Sequence, residues 1–325
     1  MSVEEILVQS PDPWVVYRTF LDLRDKDPKD KDVRESRMRM LEHPLILGLM
    51  DEMENWPGKV LNSHKSAGQL YHKLVFLADI GLTDQDGHLA RILSKVMEHP
   101  SEEGLYQMVM NIPVHFGGSG LDEGAWALCD APLLMYILAK MGLAQHPDVR
   151  KGVSVLMQMI RENGWPCTVS PKLGKFRGPG RKADPCPYAT LIMLQLLAQY
   201  DEYKESREAH IGVECLLHLW ENSREQHPYM FFMGTDFRKL KAPLVWYDIL
   251  HVADVLSQYE YAVRDERFKD MLHEINAKAN EDGLFTPESE WTAWKGWEFA
   301  QKKVPSLWVT FLVRRIQKRE DLGNR

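Results

Sequence analysis

The segment YATLIMLQLLAQY, residues 188–200, is apolar at almost every position, which predicts a helix buried on all sides. Five further segments share its character: WVVYRTFLDL (14–23), LYHKLVFLADIG (70–81), APLLMYILAKMG (131–142), YDILHVADVLSQY (247–259) and LWVTFLVRRI (307–316). Aligned on one leucine they give Leu21, Leu77, Leu138, Leu197, Leu256 and Leu312, spaced by 56, 61, 59, 59 and 56 residues. A period near sixty over the whole chain is the mark of a repeat architecture.

Between these segments lie more polar helical patterns, among them DGHLARILSKVMEH (86–99), HPDVRKGVSVLMQMIREN (146–163) and DERFKDMLHEINAKANED (265–282). Three of them lead into a glycine followed by an aromatic: EEGLY at 102–106, NGW at 163–165 and EDGLF at 281–285. A glycine there suits a left-handed helix C-cap, with the aromatic folding back on the hairpin. One hairpin cannot bury its own apolar helix, but six around an axis can. The expectation is an all-α chain, a single α/α toroid domain over residues 1–325, with an inner ring of apolar helices and an outer ring of amphipathic ones. An open solenoid is the competing arrangement.

The chain has 325 residues, 44% hydrophobic and 27% charged, so it can bury a large core. A net charge of −7 gives no global attraction to nucleic acid or an anionic membrane. No apolar run approaches the roughly 18 residues of a membrane span, so stable membrane insertion is not expected. The first residues lack the pattern of a signal peptide, and the expected location is cytoplasmic. Four cysteines, Cys129, Cys167, Cys186 and Cys215, are too few for a disulfide framework in such a chain and are expected as thiols.

The periodicity, with RKGVSVLMQMIRENGW, LHEINAKANEDGLF and ILSKVMEHPSEEGLY ending in Gly-x-Trp-like turns, resembles the squalene cyclase and protein prenyltransferase superfamily. The resemblance covers nearly the full chain and implies the α/α toroid. The cyclases of that superfamily carry an acidic Asp-x-Asp-Asp motif. This chain has none, and DKDPKDKD at 25–32 reads as a solvated loop between helices. The prenyltransferase catalytic subunits hold zinc with an Asp-x-Cys at the start of one inner helix and a histidine near the start of the next. Asp184-Pro185-Cys186 matches the first element. For the third ligand, alignment places Asp248 at the expected position and His251 one turn further along the same face.

On this resemblance Asp184, Cys186 and His251 are the candidate zinc ligands, with one position left open as in catalytic zinc sites. Asp248 would then orient His251. The competing reading gives Asp184 a helix-capping role and Cys186 that of a small buried hydrophobe. Lys172, Lys175, Arg177, Arg181 and Lys182, interleaved with glycines, can surround a diphosphate. Trp126, Tyr188, Trp246 and Tyr247 are candidates to line the cavity of the ring for an apolar or isoprenoid ligand. Asp122, Glu123 and Asp130 near the third apolar helix can act as acid, base or cap, and a carboxylate pair of this kind is what glycosidases on α/α barrels use. His64, His72 and His115 form no cluster in the sequence. Trp291, Trp294 and Trp297 are expected beneath the last hairpin.

Two functions follow as expectations. One is an enzyme acting on an isoprenoid or similar apolar substrate with an anionic head, at Asp184, Cys186, Asp248, His251 and Asp130. The other is a toroid that binds a lipid, peptide or protein without catalysis. The resemblance also implies a second subunit, whose presence the sequence does not decide.

Overall fold

The computed structural model describes residues 1–174, 176, 178 and 180–323. It is mainly helical: among the described residues there are fifteen α-helices and one two-stranded sheet. By its internal contacts the chain divides into two units, one built from residues 1–51 together with 234–325, the other from residues 52–233. None of the described helices is both long and apolar enough to cross a membrane.

The first unit begins with α1 (Val3–Leu7), α2 (Pro13–Arg18), α3 (Lys31–Leu41) and α4 (Pro44–Met53), the last of which leads into the second unit. The second unit holds α5 (Leu70–Asp79), α6 (Leu89–Met97), the strands β1 (Met108–Met110) and β2 (Glu123–Ala125), α7 (Ala131–Leu138), α8 (Pro147–Met157), α9 (Pro187–Leu197), α10 (Asp201–Lys204) and α11 (Arg207–Glu221). The chain then returns to the first unit with α12 (Ile249–Leu256), α13 (Glu260–Val263), α14 (Glu266–Asn276) and α15 (Leu307–Gly323).

All six apolar segments are helical, as α2, α5, α7, α9, α12 and α15, and α2 and α7 each run on into a π-helical turn. Every residue of α9 is buried, as its unbroken apolar sequence requires. In the second unit α5 packs on α7, α7 on α9 and α9 on α11. In the first, α12 packs on α15 and α15 on α2, so the last apolar helix lies against the first. The 25–32 segment is the expected loop: Lys26 pairs with Asp32 at 2.5 Å, and Asp30 caps α3 by accepting from the Asp32 amide. Trp294 and Trp297 are buried with ring centroids 5.4 Å apart, while Trp291 is half-buried and donates to the Pro243 carbonyl.

The glycine–aromatic signatures correct one expectation. Gly104, Gly164 and Gly283 are left-handed, at φ 89°, 114° and 74°, but they do not cap helices. Helices α6, α8 and α14 end at Met97, Met157 and Asn276, well before them. Each glycine instead turns a tight hairpin after the helix, closed by the bridges Pro100–Tyr106, Arg161–Gly164 and Ala279–Phe285. The aromatics do fold back: Tyr106, Trp165 and Phe285 are all buried.

At Gly164 a methyl group would also stand 2.8 Å from the Cys215 sulfur and 3.1 Å from Thr190 Oγ1. Gly164→Ala is therefore expected to cost about 1–3 kcal/mol, from backbone strain and overpacking. Gly48, inside α4, is the control, since a methyl group added there would meet nothing within 4 Å. Gly48→Ala is expected to stabilise by about 0.5–1 kcal/mol. Denaturant melts of the two variants should move in opposite directions.

Candidate functional site

The NGW hairpin builds the mouth of α9. The Trp165 amide donates to Thr190 Oγ1 at 3.1 Å, and the Trp165 carbonyl accepts from the Cys186 amide at 2.7 Å. The Trp165 indole donates to the Leu156 carbonyl at 2.9 Å, anchoring the hairpin to α8. Cys186 is thus fixed as the N-cap of α9, ahead of Pro187 in the first turn, with its sulfur accepting from the Ala189 amide at 3.5 Å. The last repeat uses the same device. Phe285 donates to Thr310 Oγ1 at 3.0 Å and accepts from the Ser306 amide at 2.9 Å, and Ser306 Oγ accepts from Val309 at 3.1 Å. Cys186 therefore stands where the last repeat places serine, although sulfur is the weaker acceptor.

Cys129, just before α7, interacts with the Cys186 thiol. That interaction, reinforced by the Ala189 and Tyr188 amides, outweighs burial and lowers the Cys186 pKa. Cys129 is pushed far up, first by the same interaction and then by burial. Beside it the fully buried Asp130 receives His64 Nε2 on Oδ2 at 2.7 Å, and its Oδ1 accepts from the Ala127 amide at 3.2 Å. Tyr71 and Tyr188, both buried, complete the cluster. Burial raises both phenols, and both feel Cys129 and Asp130. The Tyr71 hydroxyl donates to the His64 carbonyl at 3.2 Å. This rim, made where α5, α7 and α9 begin, joins three residues expected from sequence, Asp130, Cys186 and Tyr188, to His64, Tyr71 and Cys129. A thiol at a helix N-terminus and an imidazole–carboxylate pair can support nucleophilic and proton-transfer chemistry.

Next to the mouth of α9 lies a cleft of about 1030 Å³, whose lining includes Arg181, Asp184, Cys215 and three imidazoles, His210, His218 and His227. The apolar part of its wall comes from Pro185, Ile211, Leu219 and Pro228. Helix α11 supplies His210, Glu214 and His218 as one stripe, since residues four apart share a helix face. Cys215 is held at its base, its thiol raised to about 12 by burial.

The other expected residues are placed as follows. Asp184 does not cap α9: its carboxylate accepts from the Arg181 amide at 3.3 Å and pairs with the Arg181 guanidinium at 3.3 Å. The Arg181 side chain is 88% exposed, so that pair contributes little to stability and leaves the cation open to a ligand. Lys182 is exposed, with its carbonyl accepting from Arg161. Lys172 reaches Gln107 and the Gly124 carbonyl. Lys175 and Arg177 lie outside the described residues. Trp126 is buried and donates to Glu103 at 3.3 Å. Asp122 and Glu123 do not start a helix: β2 runs through Glu123, and Asp122 accepts from Asn111 at 2.8 Å.

Asp248 and His251 belong to the first unit. Asp248 caps α12 by accepting from the His251 amide at 3.1 Å, while its other oxygen is buried with no hydrogen-bond partner. Burial raises its pKa to about 7. His251 donates from Nδ1 to the Trp246 carbonyl at 2.9 Å, and burial lowers it to about 4. Trp246 is half-buried, and Tyr247 is buried with its ring 5.1 Å from Phe237.

Among the described residues no group of three or more His, Cys, Asp or Glu side chains is arranged to hold a metal ion. For zinc, Asp184 and Cys186 would have to exchange Arg181 and Cys129 for the metal. No protein-family model, curated protein or solved structure matches the chain.

Proposed function

We propose that the protein is a thiol-dependent transferase built as an α/α toroid, with Cys186 as the reacting group and the adjoining cleft as the substrate site. The observation that carries this reading is the placement of Cys186 at the N-terminal mouth of α9, where its amide is held by the Trp165 carbonyl and its sulfur accepts from the Ala189 amide. The packing of α15 on α2, last repeat on first, supports ring closure. The substrate is an apolar molecule with an anionic head, of the prenyl diphosphate type. Arg181 and the cleft imidazoles receive the head, and the chain lies on Ile211 and Leu219. The Cys186 sulfur attacks the carbon bearing the head, a carbon–sulfur bond forms, and the carbon–oxygen bond breaks with release of diphosphate, so that Cys186 is itself the acceptor and keeps the group as a thioether. His64, oriented by Asp130, takes up the thiol proton. No step of this scheme passes through zinc.

Incubation with farnesyl diphosphate, with and without added zinc, tests the reading. The expected result is diphosphate release and a farnesyl mass increment on the Cys186 peptide. Cys186→Ser, which keeps the cap that Ser306 provides in the last repeat, should abolish both. Absence of adduct and of diphosphate release from the wild-type protein removes the transferase reading.

A second reading, a non-catalytic carrier of a lipid, peptide or protein, is favoured by one observation. Tyr229, Met230 and Phe232, each more than 60% exposed, follow directly on the cleft residues His227 and Pro228. An intact ligand seen by native mass spectrometry, without turnover, supports it.

A further inference from the structure

We propose that the second unit docks on an anionic lipid surface through two apolar loops, residues 111–122 and 227–233, with the basic 171–184 loop between them. Eleven large apolar side chains are exposed among the described residues, and six of them stand on these two loops. Val114, Phe116 and Leu121 belong to the first loop, and Tyr229, Met230 and Phe232 to the second, each more than 60% exposed. Exposed apolar residues scattered singly are ordinary, but a group of six on neighbouring loops marks a contact surface.

The basic loop brings the two together. A methyl group on Gly174 would stand 3.0 Å from the Gly117 carbonyl oxygen, and one on Gly180 would stand 3.4 Å from Tyr229 Cβ. Those two glycines are six positions apart in the chain, so at most about 22 Å separates the apolar loops. Each loop is a fixed turn. In the first, the Gly120 amide donates to the Ile112 carbonyl at 3.0 Å and the Asn111 side chain donates to the Gly120 carbonyl at 3.2 Å. In the second, the Phe231 amide donates to the Pro228 carbonyl at 3.0 Å, closing a turn that holds Met230 at φ 71°. A methionine seldom adopts that left-handed conformation, and strain at an exposed tip is kept where the tip has a use.

Charge selects the partner. Segments 111–122, 171–184 and 224–233 together carry six lysines and arginines against three carboxylates, in a chain whose net charge is −7. Lys172 and Lys182 are exposed, Lys172 donates only to the uncharged oxygens of Gln107 and Gly124, and the Arg181 side chain is 88% exposed. The surface is thus locally cationic on an acidic protein. A protein partner is the poorer match, since the centre of a protein interface is depleted of charged residues, whereas here cations lie between the apolar tips. A bilayer surface takes both, with lysine and arginine at the level of the lipid phosphates and the apolar tips at the boundary of headgroups and acyl chains.

His227 and Pro228, which lead into the second loop, also line the cleft, so docking sets the cleft beside the lipid. The proposal rests on neither reading of function, because attachment needs no turnover and no bound ligand.

The test is co-sedimentation of the full-length protein with vesicles of phosphatidylcholine alone, or of phosphatidylcholine and phosphatidylserine in equal parts, with no prenyl diphosphate present. The expected result is binding to the mixed vesicles in preference to phosphatidylcholine alone, with release as salt rises from about 0.1 M to about 0.5 M. Lys172→Ala/Lys182→Ala should weaken partitioning by about 25-fold, from about five-fold for each lysine. Phe116→Ser/Phe232→Ser should weaken it by about ten-fold or more. Met38→Ser, at a side chain 57% exposed in the first unit, is the control and should bind as the wild type does. A wild-type protein that stays in the supernatant, equal binding to both kinds of vesicle, or a Met38→Ser loss as large as that of Phe116→Ser/Phe232→Ser overturns the proposal. So does a dimer, seen by sedimentation velocity without lipid, that Phe116→Ser/Phe232→Ser dissociates, since the loops then meet a second copy of the chain. Vesicle binding by a protein that fails to consume farnesyl diphosphate leaves the docking surface standing and removes only the transferase reading.

Discussion

Replacing Asp254 by alanine is expected to lower the unfolding free energy by about 3–5 kcal/mol, the cost of removing the carboxylate that the buried Arg315 and the half-buried Arg319 share. Asp254 Oδ1 accepts from Arg315 at 2.8 Å and from Arg319 at 3.1 Å, and Arg315 also lies 3.7 Å from Asp22. Asp254 and the Arg315 side chain are each about nine-tenths or more buried. The two arginines outweigh burial and hold Asp254 below the usual carboxylate range, and Arg18 with Arg315 does the same for Asp22. Their stabilisation is therefore present above about pH 4, the ordinary carboxylate value, and is lost as pH falls through the lowered folded values. Urea denaturation followed by circular dichroism measures both effects. Asp25→Ala, which breaks the exposed pair with Lys318, is the control and should change stability by less than about 1 kcal/mol. Equal losses at Asp25 and Asp254 would refute the assignment.

Asp248→Asn is expected to do the opposite, stabilising the protein at pH 8 by about 2–4 kcal/mol. The folded pKa of Asp248 is raised to about 7, so the native state holds a proton that the unfolded chain releases above about pH 4. Its stabilising effect is complete below pH 4 and is lost as pH rises through 7. His251, lowered to about 4, slopes the other way: the unfolded chain binds a proton below about pH 6.5 that the native state refuses. Between pH 4 and 6.5 the two slopes nearly cancel. Asparagine can still cap α12 through its carbonyl oxygen, and it unmasks the histidine. The variant's stability should rise between pH 4 and 6.5 by about 3 kcal/mol relative to the wild-type profile. A variant profile parallel to the wild type would count against burial as the cause.

The helical class was legible because each apolar segment is long and uniform: YATLIMLQLLAQY has no other soluble solution than a buried helix. The glycine turns were legible as left-handed, though not as hairpins, because the helical pattern runs on past the true helix end through Gln158, Met159, Ile160 and Arg161. Asp122 and Glu123 read as helix-capping carboxylates, while the pairing of β2 with β1 depends on residues thirteen or more positions back.

At the site, Asp-x-Cys located Cys186, but the partner that matters to it, Cys129, comes from the preceding repeat. His64 looked isolated because its partner Asp130 is 66 residues away. That separation is close to the repeat period, which was the available signal: residues that precede successive apolar helices become neighbours. Arg315 and Arg319 gave no sign of their role, since a buried cation is indistinguishable in sequence from a solvated one until its carboxylate is located.

The first unit is made from two stretches far apart in the chain, and α15 packs on α2. During synthesis residues 52–233 emerge as one continuous stretch and can condense while the ribosome is still at work. Helix α2, although made earlier and packed on α3, must wait for α15 to be translated before the face that meets it is covered. The α15-facing side of α2 thus stays exposed on the nascent chain while the whole of the second unit is made.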